Sequence, residues 1–249
     1  MLILCTNDDG YRATGLRALA EAARVVGEVQ IIAPDREQSA SSHSLTMHFP
    51  LRAHRLDSGT IHVDGTPTDC VALAVGELLD RRPDFVLSGI NHGPNMGEDV
   101  LYSGTVAGAM EATILGIPAV AVSYAGRDST AIPAFVPLLK DLLPQLAGRE
   151  TFPAETLLNV NLPPIEPSAV KGVRVTRLGR RVYTDSITRA RDPSGREYFW
   201  IGGGGVSWSA GDGTDFRAVQ DGYISVTPLH LDLTNYKLLA EVEQWELET

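Results

Sequence analysis

Four short apolar runs, separated by stretches of helical period, constrain this chain more than any other feature. Met1–Thr6, Glu28–Pro34, Pro83–Ile90 and Pro118–Ser123 are rich in Val, Ile, Leu and Ala and too short for buried helices. They read as buried strands. Over Gly15–Val26, Leu16, Leu19, Ala20, Ala23 and Val26 recur at helical spacing. Further helices are predicted through Cys70–Leu79, capped by Thr68 or Asp69, over about Thr105–Leu115, and over about Ala131–Leu146. Strands that alternate with helices imply parallel pairing, with right-handed crossovers that cover both faces of the sheet. The expected class is α/β, with a doubly wound, mostly parallel sheet.

Residues 35–65 are polar with short apolar pieces and suit an excursion with a hairpin. Beyond residue 155 the pattern changes. Leu157–Leu162, Val173–Arg177, Tyr198–Ile201 and Tyr223–Pro228 read as strands with few helices between them, an appended β-rich C-terminal lobe. Gly202–Gly205 reads as a loop, because a phosphate cradle needs a strand before it and a helix after it. An acidic surface helix is predicted over Lys237–Leu247. The whole of 1–249 reads as one domain, with a core over 1–155 and the lobe over 156–249.

Charge and cysteine usage narrow the function classes. A net charge of −10 argues against a duplex nucleic-acid binder, which needs a basic face. A small anionic substrate stays compatible if arginine or a metal supplies a local cation. No segment approaches the ~20 apolar residues of a membrane span. The N-terminus reaches two aspartates by residue 9 and does not read as a signal peptide. Cys5 and Cys70 are the only cysteines and lie far apart, so neither a disulfide framework nor a cysteine-based zinc site is expected. The expected compartment is the cytoplasm.

Chemistry gathers where the strands end. Asn7-Asp8-Asp9-Gly10 follows the first run directly. Alone, these four residues read as a turn or a cap. Ligands of open α/β sheets bind outside the carboxyl ends of the strands, and three groups fall on that edge. Asp8 and Asp9 end the first strand, Ser39 lies after the second, and Asn91 ends the Phe85–Ile90 strand. Carboxylates, a hydroxyl and an amide carbonyl are the hard oxygen donors that Mg²⁺, Mn²⁺ or Ca²⁺ prefers. Tyr102-Ser103-Gly104-Thr105 precedes a helix whose first N–H groups suit an anion, or which Ser103 or Thr105 simply caps. Neither a Walker ending nor a Gly-x-Gly-x-x-Gly follows a strand.

Longer motifs carry a resemblance. Asn7–Gly10, Ala33-Pro34-Asp35-Arg36 with Ser39, Gly65–Val71, Ser88-Gly89-Ile90-Asn91-x-Gly93-x-Asn95, Tyr102–Ala107, Gly213–Phe216 and Gly222–Leu229 stand in the order and spacing of the SurE (survival protein E) family. The likeness spans essentially the whole chain. It implies a Rossmann-like core and a C-terminal part that takes part in oligomerisation, as a homodimer or homotetramer. It also implies a metal-dependent 5′/3′-nucleotidase acting on nucleoside monophosphates, with short-chain polyphosphate as a further substrate class.

On that resemblance Asp8, Asp9, Ser39 and Asn91 hold one divalent ion per subunit, Mg²⁺ or Mn²⁺. Asp8 and Asp9 are catalytic through it, and Asn95, Ser103, Gly104 and Thr105 are expected at the phosphate. The acid that protonates the leaving alkoxide is not identified, and His43 and His92 are candidates by location only. Two readings compete. A dehalogenase-type phosphatase would use a strand-end aspartate as nucleophile, but it wants Asp-x-Asp, and here the acids are adjacent. A binding module without activity is the other, since fold alone does not prove catalysis.

Overall fold

The computed structural model describes residues 1–148, 152–182, 187–201, 207–209 and 211–245. In chain order the first half carries β1 (Leu2–Thr6), α1 (Thr14–Ala23), β2 (Glu28–Pro34), β3 (Ala53–Arg55), β4 (Ile61–Val63) and α2 (Pro67–Leu73), then β5 (Phe85–His92), α3 (Gly104–Ile114), β6 (Ala119–Tyr124) and α4 (Val136–Ala147). The second half carries β7 (Thr156–Leu162), β8 (Val173–Val175), β9 (Arg180–Val182), β10 (Ile187–Arg191), β11 (Glu197–Ile201) and β12 (Ser207–Ser209), then α5 (Asp215–Gln220), β13 (Ile224–His230) and α6 (Tyr236–Val242).

Nine strands form one sheet in the order β3-β4-β2-β1-β5-β6-β7-β13-β8. Pairing is parallel except at β3–β4 and β7–β13. Side chains alternate faces along a strand, and the core divides accordingly. Ile3, Cys5, Phe85, Leu87, Val120 and Val122 pack with α1 and α4 on one face. Leu4, Val86, Ala119 and Ala121 pack with α2 and α3 on the other. The result is the expected α/β fold with helices on both sides of a mostly parallel sheet. Both cysteines are free and buried, and burial pushes the Cys5 thiol up to about 12.

Several boundaries differ from the sequence expectation for identifiable reasons. α1 stops at Ala23, where the Val26 N–H turns back onto the Ala23 carbonyl at 2.9 Å. The cap of α2 is Thr66, not Thr68 or Asp69. Its hydroxyl accepts from the Asp69 N–H at 3.1 Å while the Asp69 carboxylate accepts from the Thr66 N–H at 2.9 Å. That is a capping box, with Pro67 at the first helical position, where a missing N–H does no harm. The span expected to be one helix over 131–146 begins as a 3-10 turn, Ser129–Phe135, which contains Pro133, and becomes α4 only from Val136. β5 runs two residues past Ile90, because Asn91 and His92 pair with Ser123 and Tyr124 of β6.

The β-rich second half contributes to the main sheet directly. β7, β13 and β8 continue it, whereas β10–β11 and β9–β12 are two-stranded antiparallel ribbons. Gly202–Gly205 lies outside the described residues, as does the end of the helix expected over Lys237–Leu247, of which Tyr236–Val242 is helical.

Candidate active site

Strand order explains where the site lies. The connection after β1 places β2 on one side of it, and a later connection places β5 on the other. The carboxyl ends of β1 and β5 therefore border the crevice where winding reverses, the usual ligand position in such sheets. Asp8 and Asp9 leave β1 there, Asn91 leaves β5, and the chain after β2 brings Ser39. The turn after β1 depends on Gly10, whose φ of 91° is unfavourable for other residues.

Asp8 is only 4% exposed, and α3 lies against it. The Thr105 hydroxyl donates to Asp8 Oδ1. A Cβ on Gly104 would stand 2.8 Å from Asp8 Cβ and 2.7 Å from Ser41 Oγ, so glycine is what lets the helix start come this close. Burial holds the Asp8 carboxyl above its ordinary range, partly opposed by the Thr105 hydrogen bonds. Asp9 is pushed up to about 6, first by burial and then by the adjacent Asp8 charge, with His92 pulling the other way. The His92 N–H donates to Asp9 Oδ2 at 3.3 Å, and its ring Nδ1 lies 3.7 Å from Asp9 Oδ1. Two neighbouring carboxylates thus carry a repulsion and a desolvation cost that a bound cation would relieve.

A cavity of about 570 Å³ opens over this edge, and Asp8, Ser39, Asn91, Asn95 and Ser103 all line it. Asp9 is not on its wall, whereas His92, whose ring Nδ1 faces Asp9, is. Ser39 Oγ donates to Glu37 Oε1 at 2.7 Å, which leaves the hydroxyl lone pairs as acceptors. Asn91 Nδ2 donates to the Gly93 carbonyl at 2.9 Å, which leaves its Oδ1 as the acceptor. Gly104 and Thr105 lie behind Asp8 instead of on the wall, and Ser103 Oγ caps α3 by accepting from the Val106 N–H at 3.1 Å.

Asn95 is held from below by a network the sequence reading missed. Its N–H donates to Asn161 Oδ1 at 2.9 Å, and its carbonyl accepts from Asn159 Nδ2 at 2.7 Å and Asn161 Nδ2 at 3.0 Å. Its own Nδ2 donates to Ser123 Oγ at 2.8 Å. The signal was present as Asn159-x-Asn161, two amides on one face of an otherwise apolar strand. Asp215 fastens the chain just beyond, accepting from the N–H groups of Gly97, Gly179 and Phe216, each at 2.8 Å.

His92, a proton-donor candidate by location, is also on the wall, together with Asp99, Tyr102, Arg181 and Ile201, which were not predicted as site residues. Arg181 pairs with Asp99 and donates its N–H to Glu98 Oε2 at 2.7 Å. No local signal marks Arg181 or Ile201, which reach the cavity from the β-rich half. His43, weighed with His92 as a proton donor, faces Glu111 and is not on the wall.

Among the described residues no group of three or more His, Cys, Asp or Glu side chains is placed to hold a metal. The fit to a cation therefore rests on two carboxylates plus the neutral oxygens of Ser39 and Asn91. Such a set suits a hard divalent ion and does not suit zinc.

Comparison with known proteins finds relatives over nearly the whole chain. The family model described as "Survival protein SurE" matches residues 3–185. The chain is 60% identical over 248 residues to a protein of Gemmatimonas aurantiaca named 5′-nucleotidase SurE, covering 98% of each. It is 51% identical over 251 residues to one of Geotalea uraniireducens with the same name, covering 99% of this chain and 100% of the other. The crystal structure of the SurE protein from Aquifex aeolicus superposes with a TM-score of 0.86 at 44% identity, covering 98% of each chain.

Proposed function

This chain belongs to the survival protein SurE family, and we propose that it is a nucleotidase. In detail, it would be a divalent-metal-dependent phosphomonoesterase that hydrolyses nucleoside 5′- and 3′-monophosphates to nucleoside and phosphate. The observation that carries this reading is the convergence of Asp8, Ser39, Asn91, Asn95 and Ser103 on one cavity at the sheet's winding reversal. The names of its full-length relatives support the nucleotidase class.

Asp8, Asp9, Ser39 and Asn91 would hold one Mg²⁺ or Mn²⁺ per subunit. Such an ion, when bound, would lower the pKa of a water and offset charge on the transferring phosphoryl group. Asn95, clamped on both backbone groups, presents its amide without reorganising when substrate arrives. Ser103, whose oxygen caps α3 while its hydroxyl proton stays available on the wall, would take a further phosphate oxygen. Thr105 serves the phosphate indirectly, because its hydroxyl orients Asp8. Of the two histidines weighed for the leaving alkoxide, His92 is the one on the wall. Tyr102 and Ile201, 59% and 88% exposed on the wall, would offer apolar surface to the nucleoside.

The 1–249 chain is proposed to act as one unit, in the cytoplasm, as a homodimer or homotetramer. No helix among the described residues is long and apolar enough to cross a membrane. Exposed Ile187, Phe199 and Trp200 on the β10–β11 ribbon, with Leu239 and Trp245 at α6, are the surface that favours self-association.

A phosphate-release panel of nucleoside 5′- and 3′-monophosphates, with short polyphosphate included, tests the proposal. Release that EDTA abolishes and Mg²⁺ or Mn²⁺ restores is expected. Absence of release across the panel with either metal would leave the binding-module reading in its place.

A further inference from the structure

The chain after β2 has to return Ser39 to Asp8 across an exposed excursion, and its backbone takes an unfavourable path to do so. Ala40 and Ser42 have φ of 57° and 54°, a left-handed conformation that L side chains rarely adopt. Such strain persists only where the surroundings over-determine it. Behind Ser39, the Gln38 N–H donates to the Asp8 carbonyl at 2.7 Å. Ahead of it, the Ser42 N–H donates to the Tyr102 carbonyl at 3.2 Å and Ser42 Oγ to the Leu101 carbonyl at 2.7 Å.

The next residue reaches the body of α3. His43 Nε2 lies 2.8 Å from Glu111 Oε2, and Glu111 is only 7% exposed on that helix. A carboxylate so placed, beside Ala107 and Ala112, is costly unless it is hydrogen-bonded or paired. α3 therefore touches both arms of the candidate site. Its first turn holds Asp8 through Thr105, and its middle holds the Ser39 segment through Glu111.

We propose that His43 and Glu111 form a latch that fixes the Ser39 segment against α3, which makes both of them positioning residues for the divalent-cation site. The inference rests on the reading of Ser39 as a ligand given above. Neither residue touches substrate or metal. Their effect is to keep the Ser39 hydroxyl at a fixed place relative to Asp8, so that the cation finds its neutral donors already in position. Partners of this kind behind metal ligands set affinity by about 10- to 100-fold.

The test measures metal-free protein as well as loaded protein. Hydrogen exchange across residues 36–46 and Mn²⁺ titration are followed in wild type, His43→Ala, His43→Gln and Glu111→Ala. The latch predicts faster exchange in that segment and an Mn²⁺ Kd raised about tenfold in both alanine variants. His43→Gln, whose Nε2 can donate from nearly the same place, should restore both. The double alanine variant should be no worse than either single one, because the two residues act as a pair. Should one alanine variant not fold, the other carries the same readings.

An Mn²⁺ Kd within twofold of wild type in the alanine variants would overturn the proposal, as would unchanged exchange over 36–46. Wild-type protein that binds no Mn²⁺ at millimolar concentration would overturn the metal reading itself, and the latch's role with it.

Discussion

Thr105 donates its hydroxyl proton to Asp8 across 97 residues of sequence, so the first turn of α3 is directed at a carboxylate of the protein. This bond supports the charged form of Asp8 against the burial that opposes it. Thr105→Val keeps the shape and removes the donor. It should lower Mn²⁺ affinity about tenfold and destabilise the fold by about 1–3 kcal/mol, read by metal titration and chemical denaturation. Thr105→Ser should recover most of both. Equal affinity in the valine variant would show that the bond is structural only.

Asp8→Asn removes the buried charge at the centre of the proposed site and leaves the backbone turn in place. Phosphate release from nucleoside monophosphates should fall by about 10² or more in kcat/KM, at any metal concentration. Near wild-type turnover with saturating metal would remove Asp8 from the principal ligands. A trapped acyl-phosphate on Asp8 in the wild-type protein would instead make it the nucleophile.

Gly104→Ala tests the close approach itself. The added methyl would stand 2.7 Å from Ser41 Oγ and 2.8 Å from Asp8 Cβ, closer than real Cβ contacts allow. The helix start has to retreat, at a cost of about 1–3 kcal/mol for overpacking, and phosphate release should fall with it. A variant with unchanged melting temperature and turnover would show that α3 can shift without consequence.

Asp215 gives a prediction in pH. Burial raises its carboxyl above the ordinary range, although Gly97, Gly179 and Phe216 donate N–H bonds to it. A folded-state pKa above the unfolded one contributes stability that is complete below about pH 4 and is lost as pH rises through the folded value. Asp215→Asn cannot titrate, and its amide must face an N–H group. Wild type should exceed it in stability by the widest margin near pH 4, narrowing toward pH 7, in urea denaturation at both values. A margin that widens with rising pH would contradict the raised carboxyl.

Sequence periodicity was sufficient for the α/β class and the main strands and helices of the first half, because a buried strand and a two-sided sheet impose spacings of two and of three to four on neighbouring residues. In the second half β9, β10, β12 and α5 were not anticipated. It also located Asp8, Asp9, Ser39 and Asn91 on one edge, since strand ends are local features and the winding rule places them together. Helix starts were less legible. Whether Thr66 or Thr68 caps α2 depends on the backbone turn at Pro67, and side-chain type does not report that.

What only the tertiary structure decided is the set of contacts made across long separations. Asn159 and Asn161 clamp Asn95, Asp215 holds Gly97, Arg181 reaches the cavity, and Glu111 receives His43. Each depends on strand register and on where a crossover returns the chain; Asn159-x-Asn161 marks one half of its clamp locally, but local spacing does not name the partner. The residues proposed to bear the chemistry were legible because strand ends are written locally. The residues that hold them still were not, because their partners are chosen by the fold.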